Sequence, residues 1–174
     1  MDSFWKLAKS HGLLHVTVSE VMSLAGYNRG TFYVYFSDLN DLIQQTEEKI
    51  LSDIKEELLQ GFDRHADDPH SIFYRRLIHV ITKYDDKIFI LLGSSGDPTF
   101  TKRIREDASC FFRQFIGSDA FSEKQDYIAA YTISALIGTL TYWYEHGKKV
   151  DLQEMLLIIE KLYVHGVDSL INHS

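Results

Sequence analysis

Residues 17–43 carry a dense run of helix start and stop signals, and no other stretch constrains the fold as tightly. Thr17 is placed to cap a helix: its hydroxyl can accept from a free first-turn amide, and Glu20, three residues on, can reach back to complete a capping box. Val18, Val21, Met22, Leu24 and Ala25 follow at helical spacing. Gly26 comes next, a residue free to take the left-handed conformation that ends a helix and turns the chain. Asn28 is a second cap, opening a helix from Arg29 to Tyr35. Phe32 and Phe36 lie four apart and share an inward face, which leaves Arg29, Thr31, Tyr33 and Tyr35 outside. Ser37 or Asp38 starts a further helix that points Leu39, Leu42 and Ile43 inward. Two short helices joined by a tight turn and followed by a longer one form the layout of a helix-turn-helix DNA reader.

The same residues resemble the N-terminal domain of the TetR family of transcriptional regulators. In that family a Thr opens the second helix, an Ala-Gly closes it, and a Gly-Thr-hydrophobic-Tyr-x-x-Phe run forms the recognition helix. Here these are Thr17, Ala25-Gly26 and Gly30 through Phe36. The resemblance implies that the helix over 29–35 enters the major groove of double-stranded DNA. Asn28, Arg29, Gly30 and Thr31 would meet base edges, with Arg29 suited to guanine. Thr17, Tyr33 and Tyr35 would hold phosphates and fix register. The chain departs from the family at Leu39, where a phosphate-anchoring Lys is frequent, and at Tyr35, where His or another polar residue is usual. Region 1–45 offers only Lys6, Lys9 and Arg29 against Asp2, Glu20, Asp38 and Asp41. Because DNA readers gain affinity by neutralising phosphates, weak and strongly salt-sensitive binding is expected.

The remaining residues read as helical throughout, giving an all-α fold with a three-helix reader over 1–45 and a helical ligand-binding and dimerisation domain over 46–174. Helices are expected over about 2–11, 18–25, 29–35, 38–63, 70–84, 86–92, 99–116, 122–146 and 151–172. In the fourth, Leu42, Ile43, Ile50, Leu51, Ile54, Leu58 and Leu59 face inward, and Glu47, Glu48, Lys49, Lys55, Glu56 and Glu57 fill the wet side. His65 to Pro69 reads as the clearest linker. Two prolines in 174 residues suit long helices, and a net charge of −7 argues against nonspecific coating of nucleic acid or anionic membrane. One cysteine, Cys110, excludes an internal disulfide framework, fits a reducing cytoplasm, and reads as buried among Phe111, Phe112 and Phe115. No signal peptide is read at the N-terminus.

Residues 127–144 carry no charge, yet Thr132, Ser134, Gly138, Thr139 and Thr141 dilute them, so burial in a subunit interface is expected rather than a membrane span. The run Phe89-Ile-Leu-Leu-Gly-x-x-Gly-Asp-Pro-x-Phe100, with Trp143-Tyr-Glu-His-Gly147, resembles the C-terminal domain common among Firmicutes-type TetR regulators. By that resemblance the last two helices pair with those of a second copy as a four-helix bundle. The interface is assigned to Ile128, Tyr131, Ala135, Gly138, Tyr142, Leu156, Ile159 and Tyr163.

No catalytic chemistry is legible. Gly93-Ser-Ser-Gly-Asp-Pro98 lacks the lysine and preceding strand of a phosphate loop. His11 and His15 have metal-ligand spacing, but Gly12 breaks the helix between them, and no metal or cofactor is expected. Aromatics on the body helices suggest a pocket for a small apolar effector, assigned to Phe73, Phe89, Phe111, Phe115 and Tyr131 and weighed against a simple filled core. The reading is a homodimeric, non-enzymatic regulator acting on a pseudo-palindromic operator. Its rival is a TetR-like co-regulator that works through protein contacts and binds DNA weakly.

Overall fold

The computed structural model describes residues 1–59, 69–116 and 123–165. Nine α-helices lie among them: α1 (Asp2–His11), α2 (Val18–Ala25), α3 (Arg29–Tyr35), α4 (Leu39–Leu59), α5 (Pro69–Tyr84), α6 (Asp86–Leu92), α7 (Pro98–Ile116), α8 (Glu123–Glu145) and α9 (Leu152–His165). A single 3₁₀ turn at Leu13–His15, not foreseen, follows Gly12 and folds Leu13 back into the core. The ends expected for the fourth and ninth helices and residues 65–68 of the expected linker lie outside the described residues, while Pro69 opens α5.

Most helix limits are set by local caps. Asp38 accepts from the Asp41 amide at 2.9 Å and starts α4. Asp97 accepts from the Thr99 amide at 2.6 Å and starts α7. Asp151 accepts from the Glu154 amide at 2.9 Å and starts α9. Each carboxylate satisfies an amide that would otherwise have no helical partner.

One continuous apolar core joins reader and body. It runs from Phe4, Trp5, Val21, Met22 and Phe32 through Leu42 and Ile50 to Phe89, Leu91, Phe100 and Leu156. Helix α4 packs on α5 and α7, α1 packs on α6, and α8 lies between α7 and α9. Two polar seams accompany these contacts. Asp86 at the start of α6 pairs with Lys9 of α1 and, at 3.2 Å, with Lys148 of the α8–α9 loop. Asp53 of α4 is buried yet pairs with Lys49 at 2.6 Å, with Lys83 of α5, and accepts from the Tyr84 hydroxyl at 2.6 Å.

Two sequence expectations are corrected. Glu47 is not on the wet side of α4 but is 4% exposed, because α7 crosses there. Cys110 is exposed, since Phe112, two residues on and so across the helix, takes the core position. On helix α8, Ala129, Ile133, Leu140 and Trp143 face inward, while Tyr127, Ile128, Tyr131 and Tyr142 face out. Among the described residues no helix is long and apolar enough to cross a membrane.

The Asp53 cluster yields a stability prediction. Its donors Lys49, Lys83 and Tyr84 hold the Asp53 carboxyl well below the usual carboxylate range. A depressed pKa contributes stability that is present above the unfolded value near 3.8 and is lost as pH falls below it. Asp53→Asn should therefore lower unfolding free energy by about 2 kcal/mol at pH 7, with the deficit shrinking below about pH 4. Urea melts of both proteins at several pH values check this.

Candidate nucleic-acid interface

The reader is assembled by reciprocal caps. At the start of α2 the Glu20 amide donates to Thr17 Oγ1 at 3.3 Å, and Glu20 Oε2 accepts from the Thr17 amide at 2.9 Å. Gly26 sits at φ 74°, ψ 25°, and the Tyr27 amide reaches back to the Met22 carbonyl at 3.0 Å. That left-handed residue makes the turn compact. Asn28 Oδ1 then accepts from the Thr31 amide at 3.1 Å and opens α3. A Cβ on Gly30 would lie 3.1 Å from that same Asn28 oxygen, so glycine there leaves room for the cap.

Helix α3 is pinned from behind. Phe32 is 3% exposed, with the Phe36 ring 5.4 Å away and the Tyr33 ring edge-on at 5.5 Å. Asn28, Arg29, Gly30, Tyr33 and Tyr35 are exposed, Thr31 is half-buried, and Thr17 is exposed at the head of α2. Side chains in a helix advance about 100° per residue, so Gly30 and Val34 point most directly away from Phe32. Val34 is 75% exposed. Val34 is a further outward residue beyond those expected, and its position two residues from Phe32 is the sequence signal for it.

The electrostatics are sparse. Lys9 is committed to Asp86, which leaves Lys6 and Arg29 as the reader's remaining cations. The Thr17 hydroxyl donates to Glu20 Oε2 at 2.7 Å, so its hydrogen is taken up by an internal carboxylate. That hydroxyl, followed by the Thr17 amide, holds the Glu20 carboxyl below its ordinary value. Asp41 is likewise lowered, first by the Ser37 amide.

The aromatic set assigned to a pocket does not converge. Phe73 and Phe111 stack at 5.4 Å between α5 and α7. Phe89 is 2% exposed and closed in by Tyr144 at 4.7 Å and Trp143 at 5.8 Å, so it is core. Tyr131 is 71% exposed and points out of the body. The Phe115 side chain lies outside the described residues. An open groove of about 600 Å³ instead runs along the outer face of α7, past Thr101, Lys102, Arg105, Ser109 and Cys110.

The residues assigned to an interface divide in two. Ile128, Tyr131, Ala135, Gly138 and Tyr142 form one exposed stripe on α8, and Tyr163 of α9 is half-buried. Leu156 and Ile159 are 1% and 8% exposed and already spent inside the chain, while Leu157 beside them is 49% exposed. Among the described residues no group of three or more His, Cys, Asp or Glu side chains is placed to hold a metal ion.

A capped helix-turn-helix on an all-helical body defines a two-part DNA-binding regulator. Residues 2–46 match the family model for bacterial regulatory proteins of the tetR family, and residues 67–164 match the transcriptional regulator C-terminal region. The chain belongs to the TetR family of transcriptional regulators. Its fold is similar to that of the fatty acid degradation regulator FadR from Bacillus halodurans, with 18% identity, a TM-score of 0.69, and coverage of 95% of this chain and 93% of that one. It is similar also to SmeT, the repressor of the Stenotrophomonas maltophilia multidrug efflux pump SmeDEF, at 16% identity and TM-score 0.67, covering 94% and 85%. FadR from Bacillus subtilis, solved with stearoyl-CoA, is 19% identical at TM-score 0.65, covering 95% and 96%. No curated protein sequence matches the chain significantly.

Gly26→Ala would force a side chain into the left-handed region, at a cost of about 1–2 kcal/mol. The melting temperature should drop by roughly 2–8 °C, measured by circular dichroism. An unchanged melting temperature would show that the turn is built differently.

Proposed function

We propose that the chain is a homodimeric, sequence-specific regulator that binds a pseudo-palindromic DNA operator. The observation that carries this reading is the outward face of α3, with Arg29 and Tyr33 exposed above a buried Phe32. Asn28, Arg29, Gly30 and Thr31 would read base edges, with Gly30 admitting the duplex closely. Val34, at the apex of the helix, suits the apolar methyl group of thymine. Tyr33, Tyr35 and Thr17 would position phosphates, Thr17 only once Glu20 gives way.

Pairing is proposed through the apolar stripe Ile128, Tyr131, Ala135, Gly138 and Tyr142, extended by Leu157 and Tyr163 of α9. Open space around Gly138 supports close approach of a second α8, since nothing lies within 4 Å of a Cβ built there. A two-fold pair would set the readers about one helical turn, roughly 10 bp, apart. A small apolar effector is proposed to enter by parting Phe73 from Phe111, shifting the population of α4 positions.

The salt dependence should be shallow, not the strong one expected from sequence. The slope counts phosphates neutralised, so two cations per subunit imply weak binding with a shallow slope, near about −4 for a dimer. Selection from random duplexes at low salt should enrich a symmetric site. Arg29→Ala should weaken that site about 10- to 100-fold with no loss of melting temperature, and Val34→Ser should change a thymine preference while leaving the salt slope alone. Absence of any enrichment would favour the rival reading of a co-regulator acting through protein contacts, which the commitment of Lys9 to Asp86 already makes worth testing.

Tyr131→Glu places a charge in the centre of the apolar stripe. Sedimentation velocity should show the wild-type chain as a dimer and this variant as a folded monomer. A wild-type monomer at micromolar concentration would sink the pairing.

A further inference from the structure

The geometry points to a proton-controlled seam between α4 and α7: the Glu47 carboxyl is buried there with one oxygen unpartnered, and losing its proton loosens the two helices. Three structural facts lead there. Glu47 is 4% exposed, and its Oε1 is buried without a hydrogen-bond partner. On the α7 side Asp97 caps the helix, accepting from the Thr99 and Phe100 amides at 2.6 and 3.4 Å. Phe100, directly below, is fully buried, so the first turn of α7 cannot shift without opening the core.

A carboxyl this deeply buried with an oxygen left unpartnered favours its neutral form, so Glu47 keeps its proton. The charged groups acting on Glu47 are Asp97 and Arg103 on the α7 side and Glu48 beside it on α4. Burial, then the Asp97 charge, pushes the Glu47 carboxyl up from 4.5 to about 7, with Arg103 opposing. Across α4, Lys49, Lys83 and Tyr84 are taken up by Asp53 and hold the α4–α5 contact independently of this proton.

The sign follows from the raised value. The seam is firm below about pH 4.5, weakens as pH rises toward 7, and gains no further penalty once Glu47 is ionised in both closed and open forms. Between pH 5 and pH 8 the closed-to-open ratio should fall on the order of 100-fold. Helix α4 begins at Leu39, immediately beyond the reader, and reaches Glu47 about 12 Å along its axis. Loosening at Glu47 therefore acts on the helix that leads out of the reader.

The test uses the full chain and no duplex, so it stands apart from the DNA-binding reading. Carbon-13 NMR of the glutamate carboxyls, with the Glu47 signal assigned by its loss in Glu47→Gln, should give a midpoint near 7. Hydrogen exchange in the first turn of α7, corrected for the intrinsic effect of pH, should accelerate from pH 5 to pH 8 in the wild type and stay level in Glu47→Gln. Should Glu47→Gln fail to fold, Asp97→Asn keeps the cap, removes the neighbouring charge, and should bring the Glu47 midpoint down. A midpoint near 4.5, or parallel exchange in wild type and Glu47→Gln, overturns the seam.

Discussion

A helix of seven residues cannot hold its own shape in water, and α3 is no longer than that. Everything the reader can do depends on Phe32, whose burial supplies from tertiary packing what length does not. Asn28 starts the helix, Phe36 closes it with its amide on the Phe32 carbonyl, and Gly26 turns the chain so that α2 and α3 meet. With the inner face committed in this way, the outward residues have no freedom to choose another orientation.

The body extends the same constraint. Helix α4 leaves the reader at an Asp38 cap and continues without interruption into the core of the second domain, so the two halves share one packed interior. Polar groups decide how tightly that interior is tied. Asp53 is buried with three donors and fastens α4 to α5, whereas Glu47, a turn and a half earlier, is buried with a carboxylate for a neighbour. One helix thus carries a fully satisfied acid and an unsatisfied one. Lys9 adds a tie from α1 to α6, at the expense of a cation the duplex could have used.

The helices were legible because their caps are local: Thr17 with Glu20, Asn28 with Thr31, Asp151 with Glu154 each lie within a turn. The orientation of α3 was legible from Phe32 and Phe36 alone. What escaped depended on contacts distant in sequence. Nothing in the spacing of α4 shows that α7 crosses at Glu47 rather than leaving it wet. Helices apolar on several sides do not say which side meets their own chain, so Leu156 and Ile159 were assigned outward and proved to be core. Cys110 was grouped with aromatics that lie near it in sequence, though Phe112 occupies the opposite face. The 3₁₀ turn at Leu13–His15 has no strong propensity signal and is set by where Leu13 must be buried.

Amide hydrogen exchange on the full chain, with and without a selected duplex, tests most directly whether α3 is the reading surface. Protection concentrated at residues 28–35 and at the first turn of α2, with α8 unchanged, is the result this account predicts. Protection elsewhere on the molecule, with 28–35 exchanging as freely as before, would contradict it.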